Sequence, residues 1–267
     1  MIEHIDYHVT DHCNLKCAGC NQFGTLAKPW CIPYEQFCEE WQLVHDKELK
    51  INEIRILGGE TLLHPDLDRL LIFLRSLFPE TAIVVYTNGI LLAQQKEKLL
   101  PIFQKYRIIL FISQYPNLKL NYEELQKGFP FVKQSYASSF MNTSLHTNPD
   151  FDKDKSFNNC NNSKVWKCRF LKNGRIYACS MIPNICHLIQ YFPKLKSTPL
   201  GELDIEENGI DIKDHTVTEI ENFLNQSMPA CAFCNVVRAK EFKTWYPSEY
   251  KITEWIENGP VSNNSSS

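Results

Sequence analysis

The chain has 267 residues, a net charge of −3, 43% hydrophobic and 22% charged residues, which is the composition of a globular domain of one large unit or one unit with an appendage. The near-neutral charge offers no polycationic surface for nucleic acid or an anionic membrane. No apolar run reaches the roughly 18 residues of a membrane span, and Met1–Asp6 lacks the basic and apolar regions of a signal peptide. A cytoplasmic location is therefore expected, where the eleven cysteines point to metal binding before disulfides.

In chain order, Ile5–Val9 alternates as a strand. Cys13-Asn14-Leu15-Lys16-Cys17-Ala18-Gly19-Cys20 follows it directly. Helical spacing then runs over Tyr34–Leu49, with Phe37, Trp41 and Val44 on one face. Glu53–Leu57 is a short apolar strand ending at Gly58-Gly59. Asp66–Phe78 is an amphipathic helix, with Pro65 suited to its first turn. Ala82–Tyr86 is a buried-type strand closed by Asn88-Gly89. Leu91–Tyr106 is helical, with Pro101 as a potential break, and Ile108–Ser113 is a further strand. Strands alternating with helices at this spacing predict a parallel sheet with outer helices.

Beyond Ser113 the pattern weakens. Phe129–Tyr136 is a possible strand, and the polar Asn142–Ser163 stretch reads as a loop or domain junction. Asn173-Gly174 is the preferred two-residue hairpin turn. Pairing from Lys172 with Arg175 outward would set Cys168 opposite Cys179, with Cβ atoms about 5 Å apart. Thr216–Gln226 reads as a short helix, followed by Cys231-Ala232-Phe233-Cys234. The polar tail, 261–267, is expected to be disordered.

Three thiolates on one loop can hold three irons of a [4Fe–4S] cluster and leave the fourth iron open to a ligand, whereas a structural zinc wants four ligands. The spacing Cys13-x3-Cys17-x2-Cys20 after a first strand resembles the signature of the radical S-adenosylmethionine superfamily. Gly58-Gly59-Glu60 after the second strand is similar to that superfamily's Gly-Gly-Glu motif, and Thr87-Asn88-Gly89 after the third to its Thr-Asn-Gly. The match covers about Ile5 to Ser113. It implies an α/β fold, a partial (β/α)6 TIM-like barrel with its site at the strand C-termini. It also implies an open-site cluster on Cys13, Cys17 and Cys20 that binds S-adenosylmethionine, whose reductive cleavage gives a 5′-deoxyadenosyl radical. Gly58, Gly59, Glu60, Thr87, Asn88 and Ser113 are the implied cofactor contacts. The glycines would let a ligand approach backbone, and Glu60 would accept hydrogen bonds from its ammonium group. Two departures stand out. Gly19 replaces the aromatic residue common before the third cysteine, so adenine packing must come from elsewhere. Thr61 replaces the usual proline after Gly-Gly-Glu.

The later cysteines resemble the auxiliary-cluster appendage of the twitch or SPASM type, in which a β-hairpin and a following helix carry a second [4Fe–4S] cluster. Cys168, Cys179, Cys231 and Cys234 are the expected ligands. Cys160 fits the family spacing as a replacement or a fifth sulfur, and a structural zinc on the same sulfurs is the alternative. The domain expectation is a radical SAM barrel over 1–155, a twitch-like part over 156–260 and the tail. Layout and length are similar to the twitch dehydrogenase of butirosin biosynthesis. The expected enzyme therefore abstracts hydrogen from a small polar substrate of sugar, nucleotide-sugar or cyclitol type, in a dehydrogenation or epimerisation. Its electron donor would be a flavodoxin or ferredoxin. The alternatives are a peptide-modifying member, a glycyl-radical-type activase, and a non-catalytic Fe–S or zinc scaffold. Cys13 comes too soon after the N-terminus for a leader-binding extension, which weighs against the peptide reading. No acid/base residue is singled out.

Overall fold

The computed structural model describes residues 1–116, 118–141, 144–239 and 241–257; the tail lies outside them. Strand β1 (Ile2–Thr10) is followed by α1 (Tyr34–Asp46), β2 (Ile51–Gly58), α2 (Leu67–Leu77), β3 (Ala82–Thr87), α3 (Leu92–Lys105), β4 (Ile109–Gln114), α4 (Tyr122–Gln126) and β5 (Val132–Tyr136). Then come β6 (Ser139–Met141), α5 (Lys153–Asn158), the hairpin β7 (Phe170–Lys172) and β8 (Arg175–Tyr177), α6 (Cys186–Tyr191), β9 (Gly209–Asp211), α7 (Val217–Phe223), α8 (Val236–Ala239) and β10 (Phe242–Thr244). Eight strands form one sheet in the order β5-β4-β3-β2-β1-β7-β8-β9. Strands β1 to β5 are parallel in sequence, the partial TIM-like barrel. The sixth parallel strand is β7, which pairs with β1 on its far side rather than following β5. The sheet then continues antiparallel through β8 and β9, so the C-terminal third extends the barrel's own sheet. A boundary after residue 155 would pass through α5.

The two faces of the sheet differ in chemistry. Ile5, Tyr7, Val9, Ile54, Ile56, Ile83, Val85, Leu110 and Ile112 lie under the helices and are essentially solvent-free. Tyr7 meets Phe37 edge-on at 5.3 Å and lies 5.5 Å from Trp41, while α2 presents Leu67, Leu70, Leu71 and Leu74. Register places the alternate residues on the concave face: His4 and Asp6 beside Glu53 and Arg55, then Tyr86, Phe111 and Lys133. This inner face is polar and partly open, as a barrel used for binding requires.

Helix α3 runs through Pro101 without interruption, because Pro101 is exposed and water can take up the carbonyl it orphans. The stretch read as a loop holds α5, capped by Asp152 accepting from Lys155 N, a local signal outweighed by its polar composition. Thr216 caps α7 in a capping box with Glu219. Among the described residues no helix is long and apolar enough to cross a membrane.

Trp41 is fully buried between β1 and α2 and anchors the helix layer. Trp41→Ala is expected to lower stability by about 3–5 kcal/mol, read as a shifted urea midpoint at constant m.

Candidate active site

The loop carrying Cys13, Cys17 and Cys20 leaves the C-terminal end of β1 and is held by backbone contacts. Gly59 N donates to Thr10 O and Glu60 N to His12 O, each at 3.0 Å. A Cβ on Gly58 would lie 2.1 Å from Thr10 O, and one on Gly59 2.1 Å from His12 O. The close approach that these glycines permit in the structure is to the chain's own backbone. Gly19 is also required: its φ is +63° and a Cβ would lie 2.9 Å from Glu254 O.

Glu60 is buried, and burial holds its carboxyl above the usual range. Its Oε1 accepts from Thr87 Oγ1 at 2.6 Å and Leu62 N at 3.0 Å, and its Oε2 from Asn88 N at 2.8 Å. Asn88 reaches back with Nδ2 to Asn14 Oδ1 at 2.8 Å and to Cys13 Sγ at 3.9 Å. Ser113 sits on the concave face near the end of β4, opposite Ser135. The structure therefore gathers Glu60, Thr87 and Asn88 beside the cysteine loop. It gives Glu60 a tying role among three chain donors, with acceptor capacity left on Oε2.

The sulfurs of this loop suit an Fe–S cluster. Burial raises all three thiols, Cys17 to about 12, so each stays protonated until a metal displaces the proton. Donors already face the sulfurs. Leu15 N lies 3.3 Å from Cys13 Sγ, backbone N–H groups of residues 22–25 point at Cys20, and Trp245 Nε1 donates to Cys17 Sγ at 3.2 Å. Tetrahedral zinc at a Zn–S length of about 2.3 Å needs sulfurs about 3.8 Å apart. Among the described residues the only three potential ligand atoms all within 4.8 Å of one another are those of His4, Asp6 and Cys168. Neither cysteine set closes to zinc spacing.

A second cavity is lined by Cys160, Cys179, Cys231 and Cys234, with Met181, Ile182 and Met228. Burial pushes Cys179 up to about 12 and Cys231 to about 11, and raises Cys234 well above its ordinary value. Ser163 N approaches Cys160 Sγ at 3.4 Å. Cys168 does not line this cavity. The hairpin has the expected Lys172–Arg175 register, but its pairing ends at Phe170–Tyr177. Before Phe170 the chain follows β1 instead, with Asp6 N bonded to Arg169 O at 2.7 Å. That turns Cys168 toward His4 and Asp6, which corrects its expected opposition to Cys179.

The C-terminal segment was not expected at this site. Ala18 N donates to Tyr246 O, Ser248 N to Lys16 O, and Trp255 Nε1 to Cys20 O, so residues 245–256 strap the cluster loop. Tyr115 stands 6.0 Å from Trp245, ring to ring, and together they form an aromatic wall at Cys17. The run Trp245-Tyr246-Pro247 was the sequence signal, but nothing local tied it to a loop more than 220 residues away.

A model described as "Radical SAM superfamily" matches residues 7–114. A GTP 3′,8-cyclase of Sulfurovum sp. (strain NBC37-1) is 30% identical over 101 residues, 37% of this chain and 30% of that protein. The antilisterial bacteriocin subtilosin biosynthesis protein AlbA of Bacillus subtilis (strain 168) is 31% identical over 136 residues, 51% of this chain and 28% of that one. The match thus spans only about 30% of the length of these curated relatives. The crystal structure of BtrN in complex with AdoMet and 2-DOIA has the same fold, with a TM-score of 0.52 at 17% identity, over 88% of this chain and 93% of that one.

Trp245→Phe keeps the ring but removes the N–H···S bond. With that donor gone, the reduction potential of the Cys13/Cys17/Cys20 centre is expected to become more negative in an EPR-monitored titration, at unchanged iron content.

Proposed function

We infer, for a chain that belongs to the radical S-adenosylmethionine superfamily through residues 7–114 and is one of its enzymes, a hydrogen-abstracting reaction on a small polar substrate. When bound at Cys13, Cys17 and Cys20, a [4Fe–4S] cluster supplies the electron that cleaves S-adenosylmethionine to methionine and a hydrogen-abstracting 5′-deoxyadenosyl radical. The observation that carries this reading is the set of three thiols on one loop, Cys17 buried and Cys13 and Cys20 half-buried, faced by N–H donors and by Glu60 and Asn88.

The chain's own groups divide the remaining work. The free acceptor capacity of Glu60 Oε2 suits the cofactor's ammonium, and Thr87 and Asn88 hold that carboxylate in place. Tyr115 and Trp245 offer the aromatic surface for adenine that Gly19 cannot. Asp6, Glu53, Arg55 and Lys133 line the concave face, with Glu53 bridging Arg55 at 2.5 Å and Lys133 at 3.2 Å. Such a charged interior supports a hydroxyl- or amine-bearing substrate of sugar, nucleotide-sugar or cyclitol type, in a dehydrogenation or epimerisation. BtrN, crystallised with AdoMet and 2-DOIA, lends the same support through its fold. The similarity to the subtilosin biosynthesis protein favours peptide modification as the second reading.

Residues from about 156 onward supply a second, auxiliary [4Fe–4S] cluster in this reading, held by Cys160, Cys179, Cys231 and Cys234. It would pass an electron to or from the substrate, while a flavodoxin or ferredoxin reduces the first.

Two measurements test the reading. Anaerobic reconstitution, reduction and addition of S-adenosylmethionine should yield 5′-deoxyadenosine, and its absence with intact clusters would reject radical chemistry. In a Cys13/Cys17/Cys20 triple-Ala background, Cys160→Ser should abolish the remaining iron and Cys168→Ser should retain it. The reverse pattern would restore Cys168 as the ligand.

A further inference from the structure

We propose that His4, Asp6 and Cys168 form a mononuclear site for a zinc-like divalent ion, separate from both cysteine sets. His4 Nε2, an Asp6 carboxylate oxygen and Cys168 Sγ all lie within 4.8 Å of one another, the only such trio among the described residues. The site arises from topology: β7 enters the sheet parallel to β1, so the residue two before Phe170 falls on the concave face beside His4 and Asp6.

Two observations point to a ligand. His4 Nε2 and Asp6 Oδ1 are fully buried and neither has a hydrogen-bond partner. Their side chains are 5% and 7% exposed and 3.9 Å apart, too far for a hydrogen bond between them. Two such atoms left bare in the interior lose their hydration without replacement, which a bound ion would restore. A tetrahedral ion with bonds of about 2.0–2.2 Å to nitrogen and oxygen spans about 3.4 Å between them, so closing this edge needs a movement of about half an ångström.

Charge fits as well. A carboxylate and a thiolate neutralise a divalent ion, with the imidazole neutral. Arg55 and Arg169 lie close enough to act on these three groups, but each also has partners of its own: Arg55 is paired with Glu53 at 2.5 Å, and Arg169 Nη1 donates to the carbonyls of Ser163, Cys168 and Ala178. One sulfur, one imidazole and one carboxylate suit a borderline ion such as zinc. Three protein ligands leave a fourth position for water or a substrate oxygen on the concave face. As the metal binds, the Cys168 thiol proton and any proton held by the Asp6 carboxyl are released to solvent; no redox change is involved.

The proposal shares with the preceding reading only the assignment of Cys160, not Cys168, to the auxiliary centre. The test uses the full chain with its clusters reconstituted, then supplied with zinc alone and desalted. One zinc per chain is expected, and the zinc-edge X-ray absorption shell should contain one sulfur at about 2.3 Å with nitrogen and oxygen at about 2.0–2.2 Å. His4→Ala and Cys168→Ser should each lose the zinc and keep the iron. A wild-type chain without zinc, a shell made of sulfur only, or zinc retained in a soluble His4→Ala chain would overturn the site. Iron lost in Cys168→Ser together with an absent zinc shell would overturn it too, by making Cys168 a cluster ligand. The shell is read on the wild-type chain and does not depend on the folding of any variant.

Discussion

Glu60 carries a carboxylate almost out of reach of water, and the surrounding site is organised by what compensates it. Removing such a charge from solvent costs several kcal/mol unless donors replace the lost hydration. Here the donors are Leu62 N, Thr87 Oγ1 and Asn88 N, from the segment after β2 and the end of β3. Meeting Glu60's demand therefore draws two strand ends together. Asn88, fixed by this, reaches the cysteine loop through Asn14 and Cys13. The backbone contacts of Gly59 and Glu60 to Thr10 and His12 close the ring from the other side. Three chain segments are locked at one place, which preorganises the sulfurs before any metal arrives.

That lock explains the glycine pair. A strand end packed onto a neighbouring loop at hydrogen-bonding distance leaves no space for a Cβ. A sequence motif that looks built for a ligand is, in large part, built for the loop that would hold it. The same economy governs Glu60, whose carboxylate serves three donors of its own chain.

The C-terminal third shows how sheet continuity directs cysteines. By joining β1, β7 makes the C-terminal third an extension of the barrel's sheet. The junction forces a change of partner just before Phe170, and Cys168 and Cys179, opposed in an ideal hairpin, part company. Cys179 faces the four-cysteine cavity while Cys168 enters the barrel interior. Arg169, buried between them, spans the carbonyls of Ser163 and Ala178 and holds this divergence.

Much of the barrel was legible in the chain itself. Apolar alternation and helical spacing marked β1 to β4 and α1 to α3 within a few residues, because outer-face burial imposes a period that local sequence must carry. The grouping of Cys13, Cys17 and Cys20 was legible as well, because residues on one loop stay near each other whatever the rest of the chain does. Helix α5 and the end of the β7–β8 pairing were not, since polar composition masked one and pairing with β1 decided the other. The strap from Trp245 to Trp255, the choice of Cys160 over Cys168 as lining of the second cavity, and the meeting of His4, Asp6 and Cys168 all join residues far apart in the chain. Local sequence determined which elements form and which loop carries the sulfurs. Only the tertiary structure decided which sulfurs meet, because strand order and side-chain direction are set by long-range pairing that no local period records.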